Sequence, residues 1–219
     1  ELTPTSGNPG AWNSSAVSDD GKYVLFAGTS SKLFISPNNG SDWYSASSTR
    51  AWTSVATTSD GQKMLAGATN SKLYYSSNFG VSWTSLGSSR NWRAVAMSSD
   101  ASKLFGAVNG GFIYRSTDAG KTWTQLATSQ NWRALAVSQN GSKLVAAPYG
   151  GTLYISSDSG TSWTSRDSAR NWSAVSISDD GTVMTATVAN GGIYISTDSG
   201  TTWSAISGIE KKELEFDFL

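Results

Sequence analysis

The side chains that carry most acid–base and metal chemistry are missing between residues 2 and 209 of this 219-residue sequence. It has no His and no Cys, and its four Glu (Glu1, Glu210, Glu213 and Glu215) lie at the two ends. His is the commonest general base and metal ligand, and pairs of Ser or Cys with His supply much nucleophilic catalysis. The composition therefore predicts a protein without a catalytic residue, a metal site or a cofactor.

Asp is the only acidic residue type between residues 2 and 209, and nearly all of the Asp residues lie in short turns. Turns such as Asp19-Asp20-Gly21 and Asp179-Asp180-Gly181 lack the 12-residue ligand spacing of a calcium loop. A glycosidase normally needs two carboxylates that flank one bond. We therefore predict a non-enzymatic protein, with a glycoside hydrolase as the alternative.

Two series of Trp divide the chain into five repeats of 40 residues. One series is Trp12, Trp52, Trp92, Trp132 and Trp172; the other is Trp43, Trp83, Trp123, Trp163 and Trp203. A fixed period of this length is typical of repeat architectures. The predicted organisation is a lead-in (1–11), five repeats (12–51, 52–91, 92–131, 132–171 and 172–207) and a charged and apolar tail (208–219).

Each repeat contains four short apolar runs of about five residues, which we name strands A to D in chain order. In the fourth repeat these are 132–137, 143–147, 152–156 and a strand beginning at Trp163, separated by Gly- and Asn-containing turns. Runs of this length and composition favour strands over helices. Four antiparallel strands per 40 residues indicate a blade of a β-propeller. The fold class is thus predicted to be all-β, a five-bladed β-propeller closed into a ring, with an open fragment of a larger ring as the alternative.

Three repeats carry the pattern Ser-x-Asp-x-Gly-x-x-Trp between strands C and D. Its Asp and Trp residues are Asp118, Asp158, Asp198, Trp123, Trp163 and Trp203, and the first two repeats have Asn38 and Asn78 instead of Asp. The pattern resembles the Asp-box (BNR) repeat of sialidases, sortilin-type receptors and photosystem II assembly factors of the Ycf48 type. The resemblance implies a propeller whose box residues are structural, lying away from the ligand site. A sialidase-like site would also need a Glu partner and an Arg-Ile-Pro sequence, and the repeats contain neither.

The charges divide between the two ends of the predicted strands. The D–A and B–C connections emerge at one end, which we call the basic face, and the A–B and C–D turns emerge at the other. The basic face holds one acid, Asp167, and eight basic residues: Arg50, Arg90, Arg93, Arg133, Arg166, Arg170, Lys32 and Lys72. Grouped charges of one sign attract a partner of the opposite sign.

Arg and Asn recur on the basic face just before strand A, as in Arg90-Asn91-Trp92-Arg93. The guanidinium fork suits carboxylate, sulfate or phosphate groups. The alternative is structural, with Asn bonding its own turn and Arg pairing between repeats or stacking on an aromatic ring. The predicted ligand-binding residues are Arg50, Arg90, Asn91, Arg93, Asn109, Asn131, Arg133, Tyr149, Arg166, Arg170 and Asn171.

These patterns predict a binding or scaffolding module for an anionic glycan or protein partner. The alternative is a structural or assembly subunit of a larger complex, as the Ycf48 resemblance implies. The formal net charge of zero disfavours a nucleic-acid partner, and no apolar run has the roughly 20 residues of a membrane span. The tail at 209–219 is a candidate docking segment. The Ser-, Thr-, Gly- and Asn-rich, Lys-poor composition favours an extracellular or exported protein.

Overall fold

The computed structural model describes residues 11–207, and all regular structure in that range is β-strand. The predicted lead-in 1–11, apart from Ala11, and the tail 208–219 lie outside it. The strands are β1 (Trp12–Val17), β2 (Val24–Gly28), β3 (Ser31–Ser36), β4 (Tyr44–Arg50), β5 (Trp52–Thr57), β6 (Met64–Ala68), β7 (Ser71–Ser76), β8 (Thr84–Arg90), β9 (Trp92–Met97), β10 (Leu104–Ser116), β11 (Thr124–Val137), β12 (Leu144–Ser156), β13 (Thr164–Ile177), β14 (Met184–Val188), β15 (Ile193–Ser196) and β16 (Ser204–Ala205). Within residues 11–207 there is no helix that could span a membrane.

Each repeat folds as four strands that pair antiparallel in chain order. The first two repeats form separate sheets, β1-β2-β3-β4 and β5-β6-β7-β8, and β9 to β16 form one eight-stranded sheet. That sheet is continuous because β11 and β13 each carry strand D of one repeat directly into strand A of the next. In β10 and β12, strand B runs into strand C through register shifts at Asn109/Gly111 and Tyr149/Gly151.

Successive repeats pack face against face around the Trp that begins strand A. Trp52 is fully buried among Leu25, Leu33 and Ile35 of the repeat before it. Trp92, Trp132 and Trp172 are likewise 0–2% exposed. The apolar area removed from water at each boundary is the main stabilising contribution, and it explains why all four positions carry the largest side chain.

A ladder of backbone hydrogen bonds joins the A–B turns across the repeats. The amide of Asp19 donates to the carbonyl oxygen of Ser59 at 2.8 Å, and the amide of Gln139 donates to that of Asp179 at 2.9 Å. The steps between them run from Ser59 to Ser99 and from Ser99 to Gln139. The ladder therefore fixes how each of the five repeats is positioned relative to the next one.

The ends of this ladder are not joined. In the range 11–207 no hydrogen bond links the first repeat to the fifth. Trp12 is 46% exposed, whereas its four counterparts are buried. The ring closure predicted from the sequence is not made by these residues, because no repeat covers the face that carries Trp12.

Candidate ligand-binding face

The strand register gathers most of the predicted binding residues at one end of the sheets. Asn109 pairs with Asn131 in register, and Tyr149 pairs with Asn171. The D-strand ends are placed in the same way, with Arg50 opposite Ser31, Arg90 opposite Ser71 and Arg170 opposite Gly151. The D–A and B–C connections thus share one end, as the alternation of antiparallel strands requires.

Arg50, Arg90 and Arg170 stack on tyrosines of the following repeat. Their Cζ atoms lie 4.5, 4.2 and 4.4 Å from the ring centroids of Tyr74, Tyr114 and Tyr194, respectively. A cation–π contact of this kind contributes about 0.5–1 kcal/mol at an exposed site. These arginines therefore connect neighbouring repeats, which is the structural role that the sequence left open; their binding of a ligand stays a prediction.

Gln130 takes the place of Arg at the boundary between the third and fourth repeats. Its Nε2 donates a hydrogen bond to the hydroxyl oxygen of Tyr154 at 3.1 Å. The tyrosine is thus engaged at this boundary as well, by an uncharged donor. The exchange shows that this position tolerates loss of the charge when a hydrogen bond replaces the stacking contact.

Arg93 and Arg133 occupy equivalent positions in strand A of adjacent repeats. At the same position of the second repeat, the Thr53 hydroxyl donates to the carbonyl oxygen of Trp92 at 2.8 Å, which places this position at the junction between repeats. Burial holds the pKa of the Arg93 guanidinium below its ordinary value, and the charge of Arg133 adds to the effect.

These two guanidinium groups have no acidic partner among the residues that the structure describes, where the one ion pair joins Arg170 to Asp167 at 3.5 Å. The charge of Arg133 disfavours the charged form of Arg93, and a bound anion would favour that form again. The pair is therefore the part of the basic face with the clearest electrostatic preference for a negatively charged group.

The Asn side chains predicted to bind a ligand have no hydrogen-bond partner in the described part of the chain. The side-chain amides of Asn91, Asn109, Asn131 and Asn171 make no hydrogen bond within residues 11–207. Their backbone groups are engaged instead: the carbonyl oxygen of Asn91 accepts from the amide of Asn109 at 2.9 Å, and that of Asn171 accepts from the amide of Ala189 at 2.8 Å. Tyr149 is 53% exposed. These groups give the basic face donors and acceptors beside its positive charge.

Arg166 does not belong to the basic face, although the sequence analysis placed it there. Its position corresponds to Leu86 and Leu126 of the second and third repeats, whose side chains lie in the core between repeats. Arg166 instead lines a shallow cavity of about 220 Å³ beside Ser199 and Thr201, in the C–D turn of the fifth repeat. Arg166 was assigned to the basic face because it lies near a D–A connection in the sequence. The direction of its side chain within strand D decides which surface it reaches, and the sequence position does not show that direction.

The Asp residues at the opposite end are held inside their own turns. Asp118 accepts hydrogen bonds from the Thr122 hydroxyl at 2.6 Å, the Thr122 amide at 2.9 Å and the Ser116 hydroxyl at 2.8 Å. These bonds, with the Thr122 hydroxyl contributing most, lower the pKa of Asp118 to about 2. Asp158 and Asp198 are bound in the same way, and their pKa is also about 2.

The other features that the C–D turns of the repeats share are also internal to each turn. Asn38 replaces Asp in the first repeat, and its Oδ1 accepts from the amide of Asp42 at 2.8 Å. The indole N–H of each C–D Trp donates to the carbonyl oxygen of the turn Gly; for Trp123, Trp163 and Trp203 the distances are 3.0, 2.8 and 3.1 Å. In the part of the chain that the structure describes, no cluster of acidic residues could hold a metal ion.

Comparison with known proteins identifies relatives only by structure. No protein-family model and no curated protein matches the sequence. A GH74 enzyme of Niastella koreensis superposes with a TM-score of 0.68 at 26% identity, over 92% of this chain and 32% of that one. An ancestral GH74 enzyme gives 0.73 at 18% identity, over 96% of this chain and 32% of its own. A YCF48 protein bound to a D1 peptide gives 0.68 at 17% identity, over 94% and 75% of the two chains.

The fold is of the β-propeller type. The GH74 and Ycf48 neighbours share it, and the four-stranded antiparallel units stacked through their A strands agree with it. The chain spans about a third of the length of the GH74 enzymes. Such distant similarity does not transfer a function, since unrelated activities share this fold.

Proposed function

We propose that this chain is a non-enzymatic binding module that recognises an anionic glycan or protein partner through its basic face. The observation that carries the proposal is that Arg93 and Arg133, at equivalent positions in strand A of adjacent repeats, have no acidic partner in residues 11–207. Unpaired charges of one sign at the junction of repeats attract a ligand of the opposite sign. The free amides around them would add hydrogen bonds to the bound group.

In this proposal each 40-residue repeat is one blade, and the five blades carry Asp-box turns. The support is the repetition of one hydrogen-bond pattern: the buried Ser of the turn donates to the Asp or Asn two residues later and accepts from the Gly amide four residues later. In the fourth repeat Ser156 donates to Asp158 at 2.8 Å and accepts from Gly160 at 2.8 Å. The Asp is a turn residue in this role, away from the basic face.

A catalytic role is disfavoured by the low pKa values of the Asp residues in the turns. Hydrolysis of a glycoside needs a carboxylic acid that still holds its proton near neutral pH. Asp100, Asp118, Asp158, Asp180 and Asp198 have pKa values of about 2, because turn hydroxyls and amides bind their ionised form. These residues would be poor proton donors, and turnover of an aryl glycoside would refute the non-enzymatic proposal.

The alternative is a subunit that scaffolds or helps to assemble a larger complex. One structural neighbour is a YCF48 protein bound to a D1 peptide, which favours a protein partner for a propeller of this kind. The tail at 209–219 would then be the docking segment, and the protein would be extracellular or exported. Deleting the tail and measuring partner binding by co-purification tests this alternative.

The main experiment removes the charges of Arg93 and Arg133 together. We expect Arg93→Ala/Arg133→Ala to weaken retention on sulfated and carboxylated glycans at least tenfold, because charge-assisted hydrogen bonds contribute about 1.5–3 kcal/mol each. The matched control, Lys22→Ala/Lys121→Ala, removes the same charge from the opposite end. Equal retention of both variants would refute the proposal, and capture of a protein instead of a glycan would identify the partner class.

A further inference from the structure

One residue of strand D adopts a left-handed conformation at each repeat boundary. These residues are Ser47, Gly87, Ala127 and Asp167, with φ angles of 67°, 62°, 56° and 59°. Gly87 alone has no side chain there. A cavity of about 240 Å³ lies beside it, between the second and third repeats, and is lined by Gly87, Ser88, Arg90, Trp92, Tyr114 and Trp123.

In the fourth repeat a carboxylate lies beside the equivalent arginine, and it also accepts a hydrogen bond from the amide of Ser168 at 2.6 Å. Asp167, the counterpart of Gly87, places its carboxylate 3.5 Å from the guanidinium of Arg170, and its side chain is only 14% exposed. Arg170 stacks on Tyr194 at 4.4 Å, as Arg90 stacks on Tyr114 at 4.2 Å. The second repeat therefore has the same arginine in the same stacking contact, but no carboxylate beside it.

The polar atoms around the cavity are available to a ligand. The Nε atoms of Arg50 and Arg170 are buried without an acceptor, whereas that of Arg90, which makes no hydrogen bond within residues 11–207, is not sealed from solvent. The indole nitrogen of Trp92, which lines the cavity, is buried and also lacks an acceptor. The indole nitrogens of Trp52 and Trp132 are buried without an acceptor in the same way, so this is a feature of the first residue of strand A, and Arg90 is the donor of this cavity that a ligand can reach.

The remaining walls are aromatic. The rings of Trp92 and Trp123 lie 6.2 Å apart at an interplanar angle of 46°, and Tyr114 completes the wall below Arg90. The volume is below the range of drug-sized sites, so it suits a single small ring. Aromatic walls with one cation and a few donors match a ring that has apolar C–H faces, hydroxyl groups and one carboxylate.

We propose that this cavity binds a uronate residue of an acidic glycan, with the sugar carboxylate on Arg90 in the place that the Asp167 carboxylate takes on Arg170. The sugar ring would lie against Trp123, with hydroxyls directed at Ser88. The choice of a glycan over a peptide rests on the proposed function. The carboxylate on Arg90 rests on the comparison of the two repeats.

The test is an NMR titration of the intact protein that follows the indole N–H signals. We expect glucuronate to shift the Trp92 and Trp123 signals with a dissociation constant in the millimolar range. Glucose, which lacks the carboxylate, and acetate, which lacks the ring, should each bind at least tenfold more weakly. Equal binding of either probe, or displacement of glucuronate by a smaller amount of N-acetylglutamate, would overturn the proposal.

The repeats themselves supply the variants. Gly87→Ala gives the residue found at Ala127, and its Cβ would lie 3.3 Å from the Trp123 ring, so it should abolish the shifts. Arg90→Gln gives the residue found at Gln130 and should weaken glucuronate binding about tenfold. Ser47→Ala is the control. It places Ala at the equivalent position of the first boundary, and it should bind as the parent protein does.

A variant that gains a binding site tests the inference in a way that damage to the fold cannot imitate, because damage would only remove binding. Asp167→Gly should open a second cavity beside Arg170, so glucuronate should also shift the indole signal of Trp203, the counterpart of Trp123. Absence of that second site, or unchanged binding by Gly87→Ala, would overturn the proposal. Loss of glycan retention in the Arg93/Arg133 variant with intact glucuronate shifts would separate this cavity from the proposed function.

Discussion

Replacing Trp12 and Trp92 separately with Ala tests whether the first repeat has an uncovered face. The two residues begin equivalent strands, but Trp12 is 46% exposed and Trp92 is 2% exposed. Trp92 packs among Leu65, Leu73 and Leu86 of the repeat before it, whereas the aromatic rings that Trp12 contacts, Phe26 and Phe34, belong to its own repeat.

The expected loss of stability follows from this difference in burial. Removal of a fully buried large aromatic side chain lowers the free energy of unfolding by about 3–5 kcal/mol, through lost transfer energy and the cavity left behind. Trp12 removes about half as much area from water and leaves no closed cavity, so its loss should amount to roughly 1–2 kcal/mol. Trp12→Ala is therefore expected to be the milder variant by at least about 1 kcal/mol.

Urea unfolding followed by far-UV circular dichroism measures both values, with Trp132→Ala as a second buried control. Repeat arrays can lose cooperativity, so hydrogen exchange in each repeat should accompany the denaturation curves. An equal loss of stability for Trp12→Ala and Trp92→Ala would refute the reasoning, because it would mean that another surface covers Trp12 in solution.

Two further predictions concern the C–D turns. The pKa of Asp118, Asp158 and Asp198 is about 2, below the value of about 3.9 in an unfolded chain, so the folded protein binds fewer protons between these pH values. Their stabilising contribution is present above pH 4 and is lost as the pH falls towards 2; replacing all three with Asn should flatten this decline in acid denaturation curves, and an unchanged decline would contradict the assignment. Ser156→Ala should lower the free energy of unfolding by about 1–3 kcal/mol, since it leaves the Gly160 amide unpaired, whereas Ser157→Ala, at an exposed position beside it, should have little effect in the same urea assay.

The two terminal repeats differ from the inner ones at positions that face outwards. Phe26 of the first repeat stands where the others have small residues; at Gly106, an added Cβ would lie 3.4 Å from Leu73 of the repeat before it. At the far side of the fifth repeat, Thr185 replaces the apolar residue found at this position elsewhere. The counterparts are Ala66, Gly106, Ala146 and Ala186 for Phe26, and Leu25, Leu65, Phe105 and Val145 for Thr185.

These differences indicate, from the sequence, the two faces that no other described repeat covers. A terminal repeat needs a more polar outer face, and a bulky ring fits only where no neighbour packs against it. The equal spacing of Trp did not reveal this, because it reports the length of each repeat and not which residues face the next one.

The strand pattern of the fold was predictable because it depends on local sequence. Short runs rich in β-branched and aromatic residues, separated by Gly- and Asn-containing turns, have few alternatives to antiparallel pairing. The internal hydrogen bonds of the C–D turns were predictable for the same reason, since every partner lies within four residues of Asp118 or its counterparts. The candidate site was less so: Arg166 was placed on the wrong surface, and the cavity beside Gly87 was not anticipated.

The sequence by itself determined the all-β class, the 40-residue period, the turn chemistry and the gathering of arginines at one end of the strands, because these follow from periodicity and from the alternation of antiparallel strands. Only the tertiary structure decided which arginines stack on a neighbouring Tyr, which of them lack an acidic partner, and that no hydrogen bond joins the first repeat to the fifth within residues 11–207. Those outcomes depend on contacts between side chains about 40 residues apart, where the packing of adjacent repeats and not the local pattern sets the distance.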